Sequence, residues 1–117
     1  MKVSDQLKAA GVTFSYEALR LPYVQSHYYT PDFLLQKLDG STMIVETKGY
    51  FPSDDRGRIK RALEANPGLD FRMLFSNPLT KIGKKSATTY AAWCDRLGIP
   101  WAKAPLPQAW LDECRRG

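Results

Sequence analysis

Residues 32–48 run Asp32-Phe-Leu-Leu-Gln-Lys-Leu-Asp39-Gly40-Ser-Thr-Met-Ile-Val-Glu46-Thr47-Lys48. Two apolar runs flank Asp39-Gly40, so the stretch reads as a β-hairpin. Its register decides what the hairpin can do. A two-residue Asp-Gly loop would pair Asp32 with Thr47 and turn Glu46 to the other face, because side chains alternate along a strand. An odd-length loop, such as Leu38-Asp39-Gly40, pairs Asp32 with Glu46 and leaves Lys48 on that same face. The longer loop is expected, with Gly40 in the left-handed region.

On the C-terminal side, Gly49-Tyr-Phe-Pro52 breaks the strand. Ser53 is a candidate N-cap, and Asp54 and Asp55 suit the first turn of a helix. That helix runs to about Asn66, before Pro67, with Ile59, Ala62 and Leu63 as its buried stripe. Residues 70–75 read as a buried strand and 76–85 as a loop. Ser86 is placed to cap a helix with the stripe Tyr90, Trp93, Cys94 and Leu97, closed by Gly98. Residues 99–102 suit a short edge strand, and the tail from Pro107 ends in a fragment of helix. On the N-terminal side, residues 2–10 form a short helix stopped by Gly11, and residues 12–20 alternate like a strand. Residues 21–30, with Pro22 and His27, read as an extended connector. The order α-β-β-β-α-β-α makes an α/β protein, a mixed central sheet flanked by helices.

At 117 residues the chain suits one domain, 1–117, with a real core. Its 44% apolar content argues against wholesale disorder. The net charge of +5 and pI of about 9.3 tilt toward an anionic partner. No apolar run reaches a membrane span, and no signal peptide is visible. Cys94 and Cys114 lack metal or redox spacing and are expected as reduced thiols in a cytoplasmic protein, Cys94 in the core.

Isolated acids on a hairpin are ordinarily surface charges. Asp32 and Glu46 instead follow proline or apolar residues at strand positions that should be partly buried, where a carboxylate wants a cation. Asp32 and Glu46 are therefore candidate ligands for Mg²⁺ (or Mn²⁺), with the Thr47 carbonyl as a third oxygen. Lys48 would orient or deprotonate an attacking water, or hold charge on a phosphate. The default reading of Arg56, Lys60 and Arg61 on the helix, and of Lys81, Lys84 and Lys85 on the loop, is solvated surface. The helix follows the site directly, however, which suits contacts to DNA phosphates. His27 has no visible partner and is read as structural or a minor phosphate contact. Trp93 and Trp110 are read as core. Tyr28 and Tyr29 stay open.

These residues resemble the bacteriophage endonuclease I family, the Holliday-junction-resolving enzymes within the PD-(D/E)XK nuclease superfamily. The ordered matches are Leu-Pro-Tyr-Val (21–24), Tyr-Thr-Pro-Asp-Phe-Leu-Leu (29–35), Val-Glu-Thr-Lys-Gly (45–49), Ser-Asp-Asp-Arg (53–56), Leu-Asp-Phe-Arg (69–72) and Leu-Phe-Ser (74–76). The resemblance implies a restriction-endonuclease-like core, Asp32 and Glu46 as metal ligands, and Lys48 as the catalytic lysine. It also implies branched DNA as substrate and a homodimer exchanging residues 1–30 over the catalytic core of 31–117, with no membrane or small-molecule partner.

The chain departs from that pattern in four places. The family's metal-binding glutamate on the first helix aligns just before Met1. The connector near Gln25 to Tyr28 is short, the catalytic hairpin is longer, and the lysine-rich C-terminal tail is missing. The expectation is a metal-dependent, structure-selective DNA endonuclease acting on four-way and other branched junctions in the host cytoplasm. The rivals are a nicking or repair nuclease of the same fold and an inactive junction-binding module.

Overall fold

The computed structural model describes residues 2–23 and 27–116. The hairpin is its organising element. Strands β4 (Phe33–Gln36) and β5 (Thr42–Lys48) pair antiparallel with Leu34 opposite Ile44 and Gln36 opposite Thr42. The Lys37 N–H donates to the Ser41 carbonyl at 2.8 Å, closing a three-residue loop Leu38-Asp39-Gly40. Gly40 sits at φ 87°, the left-handed conformation such a loop requires. The expected odd loop is present, and the register continues to place Asp32 opposite Glu46.

Alternation then sorts the hairpin between two cores. Phe33, Leu35, Met43 and Val45 face one side of the sheet, where they pack with Leu7, Leu74, Leu106 and Leu111. Ile44, with Leu34 across from it, faces the other side, packing with Phe51, Ile59, Met73, Phe75 and Tyr90. Helices α1 (Val3–Ala10) and α4 (Gln108–Asp112) cover the first side. Helices α2 (Ser53–Ala65) and α3 (Tyr90–Leu97) cover the second. The full sheet has the order β1-β4-β5-β6-β7, with β1 Phe14–Tyr16, β6 Asp70–Phe75 and β7 Trp101–Lys103. Pairing is antiparallel from β1 to β5 and parallel from β5 to β7, so α2 and α3 are the crossovers of the parallel half. The mixed α/β sheet flanked by helices is as expected.

Several local expectations are corrected. The connector expected over 21–30 is not plain in its described parts: β2 (Leu21–Tyr23) and β3 (His27–Tyr29) pair antiparallel as a separate ribbon packed against α2. The expected strand over 12–20 shrinks to β1, because Glu17 turns to φ 51° and ends the ladder. Helix α3 is capped by Thr89, whose hydroxyl accepts from the Ala92 N–H at 3.1 Å, while Ser86 forms a turn onto the Thr88 N–H. Ser53 is the first helical residue of α2 rather than its cap, a position held by Pro52. The edge strand begins at Trp101, not at residue 99. The reading of residues 25–28 as a shortened connector, and the role given to the His27 side chain, fall largely outside the described residues. Gly11 and Gly98 close their helices at φ 70° as expected, and Cys94 and Cys114 are buried free thiols.

Candidate active site

Pro31 is fully buried and brings Asp32 in at the start of β4. The Asp32 N–H donates to Glu46 Oε1 at 2.8 Å, and Asp32 Oδ2 accepts from the Thr47 N–H at 3.0 Å and the Thr47 hydroxyl at 2.7 Å. The two strand ends are thus laced through their carboxylates where the backbone ladder stops. Glu46 is the one buried charged residue of the described chain, 3% exposed. Its carboxyl is raised to about 7, chiefly by burial, with an approach by the Tyr29 hydroxyl pulling it down and the Asp32 charge pushing it up. Tyr29 is itself buried, and its hydroxyl closes no well-formed hydrogen bond with a described residue. Its approach to Glu46 is therefore a longer electrostatic contact. Burial beside these carboxylates raises the Tyr29 pKa far above the usual phenol range.

Lys48 lies on the same face as Glu46, with Nζ 3.9 Å from Glu46 Oε2. Its closer partner is Asp55 Oδ2 at 2.9 Å, reaching over from the first turn of α2. Asp55 Oδ1 also meets Arg58 Nη2 at 3.1 Å. Asp32, Glu46, Lys48, Asp55, Arg58 and Tyr29 line a cleft of about 310 Å³. A larger cleft, about 550 Å³, opens on the other flank of Asp32 and Lys48 and is bordered by Lys2, Ser4, Tyr16, Thr47 and Ser76. The structure therefore brings Asp32, Glu46, Thr47 and Lys48 together.

The expected DNA contacts separate. Arg56 Nη1 donates to the Phe51 carbonyl at 2.7 Å and so braces the turn between β5 and α2. Lys60 is exposed on α2, and Arg61, also exposed, lies alongside Gly57. Lys81, Lys84 and Lys85 are exposed on the loop leaving the same end of the sheet as Lys48, since Phe75 pairs with Lys48. Lys103 reaches that end too, opposite Phe75 on β7. Sequence reasoning read Asp55 only as a first-turn helix acid and did not place it or Arg58 at the site. The available signal was their nearness to Lys48, with Asp55 in the first turn and Arg58 in the second turn of a helix starting five residues past it. Tyr28, left open above, is half exposed beneath the Arg20 guanidinium at 4.4 Å.

No group of three or more acidic, histidine or cysteine side chains arranged to hold a metal occurs among the described residues. Asp32 and Glu46 offer two hard carboxylates, one of them buried without full compensation. That donor set fits an ion such as Mg²⁺, which is commonly held by one or two carboxylates and completes its octahedron with water and phosphate oxygens. It does not resemble a closed site for a softer metal.

The phage endonuclease I family matches residues 1–117. The chain is 42% identical over 118 residues to the protein named Endonuclease I from Escherichia phage T7, an alignment spanning 98% of this chain and 76% of that one. It is likewise 42% identical over 118 residues to Endodeoxyribonuclease 1 from Enterobacteria phage T3, spanning 98% and 75%.

Proposed function

The chain belongs to the phage endonuclease I family, and we propose that it is a metal-dependent endodeoxyribonuclease that hydrolyses phosphodiester bonds in branched DNA, four-way junctions above all. The observation carrying this reading is the reciprocal lacing of Asp32 and Glu46 with Lys48 beside them in one cleft. Asp32, Glu46 and the Thr47 carbonyl would hold Mg²⁺ or Mn²⁺, which when bound supplies Lewis acidity to the phosphate and acidifies the attacking water. The chain's own residues do the rest. Lys48 presents an ammonium to the phosphoryl oxygens, where charge grows in the transition state, and to the incoming water. The buried wall around Glu46 limits bulk water and strengthens these charges.

Lys60, Arg61, Lys81, Lys84 and Lys85 would track the flanking backbone, a sequence-independent contribution suited to recognition by shape. A homodimer presenting two such sites would allow paired nicks across a junction, with segment exchange through residues 1–30 as its geometry. No described helix is long and apolar enough to cross a membrane, and the host cytoplasm is the proposed place of action.

The test is cleavage of a labelled four-way junction and a matched linear duplex with Mg²⁺, Mn²⁺ or EDTA, by the wild-type chain and Lys48→Ala. Metal-dependent cuts confined to the junction and lost in Lys48→Ala are expected. Equal cutting of both DNAs would point to a general nicking nuclease. Tight junction binding without cleavage in any metal would point to a binding module.

A further inference from the structure

We infer that Asp55 is the positioning residue of this site: it fixes the Lys48 ammonium in the cleft and sets Arg58 beside it as a second cation for a DNA phosphate. The inference rests on the nuclease reading above and adds two residues to it. Lys48 sits 2.9 Å from Asp55 but 3.9 Å from Glu46, so its partner is a carboxylate from another element, not the glutamate of its own strand. A lysine side chain on four rotatable bonds keeps no fixed direction without such a partner. The other Asp55 oxygen is bonded to Arg58. One carboxylate therefore bridges two cations, and all three groups line the cleft that contains Asp32 and Glu46.

The division of labour follows from what each carboxylate touches. Asp32 and Glu46 accept from backbone N–H groups at the strand ends. Asp55 has both oxygens engaged by side-chain cations, which sets it apart from the metal-binding pair. A phosphate entering the cleft would meet Lys48 and Arg58 already aligned, with Asp55 behind them. Asp55 also carries negative charge into a DNA-binding cleft, so it opposes binding while assisting the reaction. A residue that only supported the fold would not split those two effects.

The experiment uses the full chain with Asp55→Asn, Asp55→Glu and Asp55→Asn in a Lys48→Ala background. Single-turnover cleavage of a four-way junction, junction affinity in EDTA, and the Mg²⁺ dependence of the rate are measured. Asp55→Asn should lower the cleavage rate roughly 10- to 100-fold, the range for partners that orient a catalytic group. Junction affinity should be unchanged or tighter, and half-saturating Mg²⁺ unchanged. Asp55→Glu should recover part of the rate, and Asp55→Asn should cost nothing further once Lys48 is gone. Wild-type rates in Asp55→Asn would overturn the inference. So would a more than tenfold rise in half-saturating Mg²⁺, which would make Asp55 a ligand, or loss of the folded circular-dichroism signal in both single variants, which would make it structural. A wild-type chain that cuts no DNA with either metal would instead overturn the nuclease reading and this inference with it.

Discussion

The Asp32 backbone donates to the Glu46 carboxylate at 2.8 Å, while the Asp32 carboxylate is itself held by Thr47, so each acid is oriented by the strand that carries the other. Structure and chemistry at Asp32 can therefore be separated. Asn keeps a carbonyl oxygen able to accept the Thr47 N–H, whereas Ala leaves that donor and the Thr47 hydroxyl without this partner. Asp32→Asn should retain the wild-type melting temperature and lose cleavage. Asp32→Ala should lose cleavage and about 1–2 kcal/mol of stability. Calorimetric melts beside a junction assay read both.

Glu46 sets a pH dependence of stability in the absence of metal. Its carboxyl is raised to about 7 in the fold from 4.5, chiefly by burial. The folded state thus holds the proton more tightly than the unfolded state. The associated stability is fully present below pH 4.5 and is lost as pH rises through 7. The change approaches about 3 kcal/mol from the size of the shift. Melting temperature in EDTA should fall between pH 5 and 8 for wild type and stay flatter for Glu46→Gln. An equally steep fall in the variant would mean that another group titrates.

Gly40 provides a register test that spares the site. A Cβ there meets nothing within 4 Å, so its φ of 87° is the whole objection to a side chain. Gly40→Ala should cost about 1 kcal/mol, a melting shift of a few degrees, with junction cleavage intact. Lost cleavage at a retained fold would show that the loop also sets the Asp32–Glu46 register.

Phe51 holds the turn that follows Lys48. It is fully buried, its ring meeting Phe75, Tyr90 and Trp93 at centroid distances of 5.6, 5.6 and 5.1 Å. Its N–H also donates to the Tyr90 hydroxyl oxygen at 3.2 Å. Phe51→Ala should cost about 3–5 kcal/mol by chemical denaturation. A cost under 1 kcal/mol would mean that the surrounding rings collapse into the space.

Arg56 and Lys60, four residues apart on α2, should part company. Arg56→Gln breaks the brace onto the Phe51 carbonyl and should lower stability by about 1 kcal/mol. Lys60→Gln should leave stability alone and reduce the slope of log affinity against log salt for junction DNA by roughly one. Melting curves and salt titrations of both variants distinguish them, and an unchanged salt slope in Lys60→Gln would remove it from the DNA interface.

The hairpin was legible in the sequence because two strong local signals, side-chain alternation and a glycine suited to the left-handed region, had to agree with two acids sharing a face. Strand β6 and helix α2 were legible for similar reasons, with apolar residues at one clear period and prolines at the ends. The ribbon of β2 and β3 was not. Pro22 interrupts any alternation, and that pairing is stabilised by packing on α2, a tertiary contact. The start of α3 was misread because Ser86 and Thr89 are both capable caps, and the bridge between Lys81 and Thr89 decides between them. Asp55 was hidden differently. It looks like any acid favouring a helix N-terminus, and only the crossover from β5 to β6 turns it onto Lys48.

The last described residues carry a consequence for how this protein meets its own copies. The Arg115 N–H donates to the Gln36 carbonyl, the Leu38 N–H to the Glu113 carbonyl, and the Thr13 N–H to the Arg115 carbonyl. Residues 113–116 thereby fill the backbone positions left bare ahead of the start of β1, where the hairpin continues toward its loop. An exposed row of such groups invites a strand from another molecule. With the tail seated, another chain can add there only by first peeling it away, which guards the hairpin that carries Asp32 and Glu46 against edge-to-edge aggregation.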